Sequence, residues 1–304
     1  MALGRRTRIA NTWPAQRALL LKLSPLLVFF GLTVGVGVVH ALLQSFWLAG
    51  PPRLVAEPDV DRLAGYRELF ASPDFLRSVG HSLYVAAVSA IVSVVIGTAF
   101  AYLVWRAPAW IAALASLYRL PIIFPHIVVA YLTLLFWSRT GLVASVLQRV
   151  GISMELMPQL LYRPNGVGMI LAYIYKEFPF VALLVLGALR TVPEQHLINA
   201  RMLGANRAQV LFRVVVPLLL PLLNQIFFIL FLYALGGFDI PFLLGAGNPP
   251  MLPIRVFQTY FHGSLADRAQ VMATLSLMAV VAFMFVLSYS RAARRISRWE
   301  AGIS

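Results

Sequence analysis

Cysteine is absent from all 304 residues. That excludes a disulfide framework, a thiolate zinc site, an iron–sulfur cluster and a cysteine nucleophile, and it leaves the redox compartment open. Charge is scarce as well. Only 12% of the residues are charged, against roughly 25% in soluble domains. Acids are scarcer than bases, 11 against 25, for a formal net charge of +14. No G-x-x-x-x-G-K-[ST] run is present to cradle a nucleotide phosphate, so this chain does not hydrolyse ATP by itself. There is no H-E-x-x-H, and His40, His81 and His126 each stand apart from other histidines. An intramembrane enzyme would need paired ionisable groups or a nucleophile at depth. The sequence offers one adjacent charged pair, Lys176–Glu177, and neighbours in a helix do not face each other.

What is abundant is hydrophobic side chain, 60% of the chain with a mean hydropathy of +0.82. Lipid is the solvent such a composition suits. A helix needs roughly 20 apolar residues to cross the hydrocarbon core. Uncharged runs of that length lie between Lys22 and Arg53, Arg77 and Arg106, Arg119 and Arg139, Arg213 and Asp239, and Arg268 and Arg291. A further run, "GVGMILAYIYKEFPFVALLVLGAL", contains Lys176 and Glu177, with Pro179 just beyond as an expected kink. Six spans result. The first is too long for the apolar region of a cleaved signal peptide.

Basic residues orient the bundle. With the N-terminus in the cytoplasm, fifteen basic residues fall inside and nine outside; two acids fall inside and eight outside. The inner side then carries +13 and the outer side +1. The basic surplus is a topology signal, and nucleic acid is not an expected partner.

One cytoplasmic segment then stands out, "RTVPEQHLINARMLGANRAQVLFRVVVP". Pro193 suits the first turn of a helix, nothing breaks the helix from Glu194 to Leu203, and Gly204 stands where a left-handed residue ends one. Asn206 is placed to cap a second helix. The reading is helix, glycine turn, helix. Leu197, Ala200, Met202 and Leu203 supply apolar side chains beside Arg201 and Arg207. By local pattern alone this suits a partner-docking surface and a helix lying on lipid headgroups equally.

Here the chain resembles the transmembrane permease subunits of binding-protein-dependent ABC importers of the type I fold. Their signature opens Glu-Ala-Ala, places a glycine after three more residues, and after nine more ends aliphatic-x-Leu-Pro. Ala200, Gly204, Val214 and Pro217 match it, whereas Ile198 replaces the glutamate, Asn199 the first alanine and Val216 the leucine. Leu203 stands where an aspartate is common. "YKEFPFVALLVLGALRTVPEQ" and "GGFDIPFLLGAGNPPMLPIRVFQTYF" are similar to the helix before the signature and to the last outer loop of the polyamine and ferric-iron branch. The resemblance covers about residues 78–292.

That resemblance implies an all-α polytopic membrane protein of the bacterial inner membrane, with six helices and both termini cytoplasmic. The expected parts are a basic N-terminal segment (1–22), a first helix (23–49), a periplasmic loop (50–77), a permease core (78–292) and a tail (293–304). Within the core, helices fall at about 80–105, 120–138, 167–189, 213–237 and 268–291, with the coupling segment at 190–212. It further implies a second permease chain, two ATPase subunits carrying ATP and magnesium, and a periplasmic binding protein that delivers the solute. No cofactor or metal is expected on this chain. The residues implied to dock the ATPase are Glu194, Leu197, Ile198, Asn199, Ala200, Arg201, Leu203, Gly204, Ala205, Asn206, Arg207 and Pro217. The branch implies a polyamine such as spermidine or putrescine, with ferric iron, thiamine and organophosphonate as alternatives.

Polar residues at lipid depth are candidates for the solute path. They are Tyr173, Lys176, Glu177, Asn224, Gln225 and Tyr233, with Asp239 at the outer end of the fifth span. Asp239 is equally readable as a helix cap. Ala86, Ala90, Gly97 and Ala101 recur at helical spacing and predict a close helix–helix contact.

Overall fold

The computed structural model describes residues 13–48, 61–151, 159–265 and 267–301. Most of the N-terminal basic segment, residues 49–60 of the first loop and residues 302–304 lie outside that range. Among the described residues the regular structure is helical throughout, and six helical stretches are long and apolar enough to cross a membrane. They are span 1 (Leu21–Ser45), span 2 (Pro73–Arg106), span 3 (His126–Arg149), span 4 (Val167–Leu189), span 5 (Arg207–Gly236) and span 6 (Arg268–Arg291).

Span 1 contains Pro25, whose missing N–H leaves the Leu21 carbonyl without its helical donor. The Ser24 hydroxyl donates to that carbonyl at 2.8 Å, a local repair of the kind lipid demands. A π-helical turn at Gly31–Gly35 interrupts the span before it resumes at Val36–Ser45.

Span 2 begins at Pro73, earlier than the residue near 80 that the charge pattern suggests, and so reaches into the segment read as loop. The signal is Ser72-Pro73-Asp74. Ser72 Oγ accepts from the Phe75 N–H at 3.3 Å, proline occupies the first turn, and an acid sits at the positive end. Arg77 does not stop the helix, because a helix of 34 residues, about 51 Å long, overshoots a ~30 Å core. At the other end of the chain, the helix Arg268–Ala301 continues through the segment read as a tail.

Spans 2, 4 and 5 form the core, and span 1 lies against the final helix. The contact between spans 2 and 4 is made by small residues. Ala86, Ala90 and Ala101 are buried, and a Cβ built on Gly97 would stand 2.5 Å from Val181 Cβ and 2.8 Å from the Phe178 carbonyl oxygen. Only glycine lets these backbones approach so closely. A second tie comes from buried Ser82, whose Oγ donates to the Ser78 carbonyl at 2.8 Å and accepts from the Leu252 N–H at 2.8 Å. It fixes the start of helix Leu252–His262 on span 2.

The largest departure from the sequence reading is span 3. The run 120–138 is not one helix. A helical turn at Leu120–Ile123 ends in extended backbone at Phe124 and Pro125, and a new helix runs from His126 to Trp137. Twelve residues reach about 18 Å, so this piece alone does not cross; a further helix, Leu142–Arg149, follows it. Pro125 has no N–H to give the Pro121 carbonyl, and the helix breaks there. Pro179 behaves differently: span 4 runs unbroken through it.

Candidate functional site

Two regions carry the polar chemistry. The first is the segment after span 4. Helix Glu194–Met202 starts one residue after Pro193, which is extended and takes the capping position. Its end is a Schellman motif: Gly204 N–H donates to the Arg201 carbonyl at 2.9 Å and Ala205 N–H to the Ala200 carbonyl at 3.0 Å. Gly204 has φ +81°, the left-handed conformation that motif needs. Directly after it comes a capping box. Gln209 N–H donates to Asn206 Oδ1 at 2.9 Å, and Asn206 N–H donates to Gln209 Oε1 at 2.8 Å. Two motifs back to back make a stiff elbow between this helix and span 5.

The faces of that helix sort the candidate residues. Leu197 is buried, with Ala200 and Ala205 half-buried against the core. Leu197 and Ala200, three apart on one helix face, anchor the helix, so Leu197 is not available as a docking residue. Ile198 is 45% exposed, Met202 81% and Leu203 89%. Glu194, Asn199, Arg201, Asn206 and Arg207 are exposed around this apolar patch. Pro217 lies in span 5, just after a π-helical turn at Leu211–Val215. Its missing N–H frees the Arg213 carbonyl, and the wider turn accommodates the loss.

The second region lies at mid-depth in span 4. Lys176 is 7% exposed, and its ammonium donates to three backbone carbonyls: Pro121 at 2.9 Å, Ile122 at 3.0 Å and Phe124 at 2.7 Å. These carbonyls end the helical turn before the break and lack helical donors, partly because Pro125 has none to give. Glu177, the next residue, reaches past the break. Its Oε1 lies 3.0 Å from Nε2 of His126, the first residue of the helix His126–Trp137, which donates to it. The pair thus bridges the broken helix, a cation at its carbonyl end and an anion beside its amide end, the arrangement the helix dipole favours.

The remaining polar residues divide. The Tyr233 ring packs on His126, centroids 4.5 Å apart at 34°. The buried Tyr173 hydroxyl points at the Ala234 carbonyl at 3.4 Å, and a Cβ on Gly237 would stand 2.7 Å from it. Gly237, packed against the Tyr173 hydroxyl, stands two residues before Asp239. Asp239 opens the short helix Asp239–Leu244. Tyr173, Lys176, Glu177, Tyr233 and Asp239 therefore belong to one neighbourhood. Asn224 and Gln225 do not join it; they stand exposed on span 5.

His126 and the carbonyls of Pro121, Ile122 and Phe124 join the site although the sequence pattern does not single them out as part of it. The available signal was two prolines four residues apart in an apolar run, opposite the one charged pair at depth. Lys176 binds carbonyls and not Glu177, so the Glu177 carboxylate has the His126 imidazole as its partner. Among the described residues no three His, Asp or Glu side chains converge to hold a metal.

Comparison with known proteins completes the description. The family model described as binding-protein-dependent transport system inner membrane component matches residues 93–298. A putative ferric transport system permease protein of Haemophilus influenzae is 30% identical over 217 residues, 70% of this chain and 33% of that protein. The chain thus spans about a third of that relative's length. A spermidine/putrescine transport system permease protein of Salmonella typhimurium is 25% identical over 277 residues, 89% of this chain and 94% of that protein. Among solved structures, a chain of a bacterial alginate ABC transporter in complex with its pentasaccharide-bound periplasmic protein superposes with a TM-score of 0.76 at 21% identity, covering 94% of this chain and 98% of that one. The fold is that of ABC importer permeases.

Proposed function

The chain belongs to the family of binding-protein-dependent transport system inner membrane components, and from that premise we propose that it is a permease subunit of an ATP-driven importer in the bacterial inner membrane. It forms half of a solute pathway with a second permease chain. Two separate ATPase subunits hydrolyse ATP, and a periplasmic binding protein delivers the solute. The chain itself is a transporter subunit and not an enzyme. Both termini face the cytoplasm, an orientation supported by the basic surplus on that side.

The observation that carries this reading is the exposed patch of Ile198, Met202 and Leu203 on a helix held by a stiff elbow. Exposed apolar side chains flanked by arginines suit insertion into a groove of a partner. The elbow ties the helix to span 5, so a push on one moves the other. Asn224 and Gln225 support the second permease chain: amides exposed at lipid depth need partners from another helix.

The cargo we propose is a small cation of the polyamine type. Glu177 supports this, since Lys176 is spent on backbone carbonyls and leaves the carboxylate to His126, on whose ring Tyr233 packs. Carboxylate and aromatic faces suit ammonium groups. Ferric iron is the alternative cation; an anionic cargo would meet the wrong sign.

The test is copurification. The tagged chain is expressed with its neighbouring permease, ATPase and binding-protein genes, and ATPase activity is followed with spermidine-loaded binding protein. Stimulated activity that falls at least tenfold in Met202→Asp is the expected result. Loss of stimulation in Glu177→Gln, with the complex intact, supports the cationic cargo. An ATPase that fails to copurify with the wild-type chain overturns the reading.

A further inference from the structure

A cleft of about 870 Å³ opens between the end of span 2 and the elbow after helix Glu194–Met202. Tyr102, Leu103 and Arg106 line one side, and Arg201, Arg207 and Leu211 line the other. Its size is that of a site for a small molecule or a headgroup. Arg106 ends the helix of span 2, and its guanidinium lies 4.7 Å from the Trp105 ring centroid and 5.6 Å from that of Tyr102. None of the three arginines has an ion-pair partner among the described residues, and no acidic residue lines the cleft.

Depth decides what fits. Trp and Tyr rings gather where hydrocarbon meets headgroups, and Tyr102 and Trp105 stand at the end of a membrane helix. Leu103, 68% exposed, and Leu211 present apolar surface in the same opening. A ligand there meets guanidinium groups on one side and acyl-compatible surface on the other. Three unpaired guanidinium groups match phosphate oxygens, which they bind in a forked geometry.

We propose that this cleft binds the headgroup of an anionic phospholipid, its phosphate held by Arg106, Arg201 and Arg207 and its chains lying along Leu103. Such a lipid joins the end of span 2 to the elbow, so the lipid composition of the leaflet sets how firmly the elbow is held.

The experiment uses the purified full chain without any ATPase. Native mass spectrometry counts bound phosphatidylglycerol against phosphatidylcholine with identical acyl chains. One arginine near a membrane surface strengthens anionic-lipid binding about fivefold, so the triple variant R106Q/R201Q/R207Q is expected to lose about a hundredfold in phosphatidylglycerol affinity. The matched variant R139Q/R149Q/R163Q, an equal charge change elsewhere, is expected to keep it. The triple lysine variant is expected to fall in between, because charge remains but the fork is lost. Equal losses in the two glutamine variants would mean bulk attraction and overturn the site. No preference for phosphatidylglycerol in the wild-type chain overturns it too, and if ATPase assembly then fails in R106Q/R201Q/R207Q the cleft is a protein contact.

Discussion

Replacing Lys176 by Met removes the three bonds that close the carbonyl end of the broken helix, those to Pro121, Ile122 and Phe124. Two effects oppose each other. Methionine enters lipid more easily, since a lysine at the centre of a span costs about 2.5–3.5 kcal/mol on insertion. That cost falls on the inserted but unassembled helix as well, so it largely cancels from the stability of the assembled bundle. What does not cancel is the loss of bonds. Interhelical hydrogen bonds in membranes average about 0.6 kcal/mol, and bonds to charged groups reach about 1.5 kcal/mol or more. Three of them give a loss of about 2–5 kcal/mol. At roughly 2–4 °C per kcal/mol for chains approaching this size, the melting temperature in detergent falls by at least about 4 °C. A second change tests the cause. Pro125→Ala restores an N–H four residues after the Pro121 carbonyl, so it should recover about 1 kcal/mol in the Lys176→Met background and nothing in the wild type. Thermal melts read by size exclusion of the four chains close the cycle. A Lys176→Met chain melting within 1–2 °C of wild type would refute the capping role, and strictly additive changes would refute the part assigned to Pro125.

Three further outcomes follow from packing and backbone. Gly97→Ala places a methyl 2.5 Å from Val181 Cβ and should destabilise by about 1–3 kcal/mol; Val181→Ala in the same chain should return part of the lost melting temperature. Ser82→Ala orphans the buried Leu252 N–H and should cost about 1–3 kcal/mol, whereas Ser78→Ala removes a buried hydroxyl whose Oγ has no partner and should leave the melt unchanged or raise it. Gly204→Ala meets no atom within 4 Å but sits at φ +81°, so its cost is conformational, about 1–2 kcal/mol. Gly204→Asn should be milder than Gly204→Ala, read as protease nicking of the elbow.

Features that depend on near neighbours were readable in the sequence. Gly204 and Asn206 were expected as a left-handed stop and a cap, and the structure has φ +81° and a capping box there. The stripe Ala86, Ala90, Gly97 and Ala101 was expected at a close contact, and it faces span 4. Features that depend on distant partners were not readable. Leu197 reads as one more exposed apolar residue until the core it enters is known. The break at Phe124–Pro125 lies in a run as apolar as any intact span, and hydropathy does not register it. Arg77 misled for a related reason: a charge near the end of a span is as compatible with a helix emerging from lipid as with a loop.

The adjacent Lys176 and Glu177 show how one helix can serve both ends of another's break. Successive residues on a helix point about 100° apart, a spread that lets one side chain reach back toward Pro121–Phe124 and the other forward to His126. A break in a membrane helix exposes carbonyls on one side and amides on the other, and lipid supplies nothing to either. A lone lysine would close one side only and leave its charge unbalanced at depth. The pair closes one side and sets an anion beside the other, with net charge zero, which is why two adjacent charges are tolerated mid-span. The same geometry limits how the break can move. Moving Pro121–Phe124, the stretch just before span 3, away from span 4 would strip the ammonium of all three acceptors in hydrocarbon, so this contact holds the break closed.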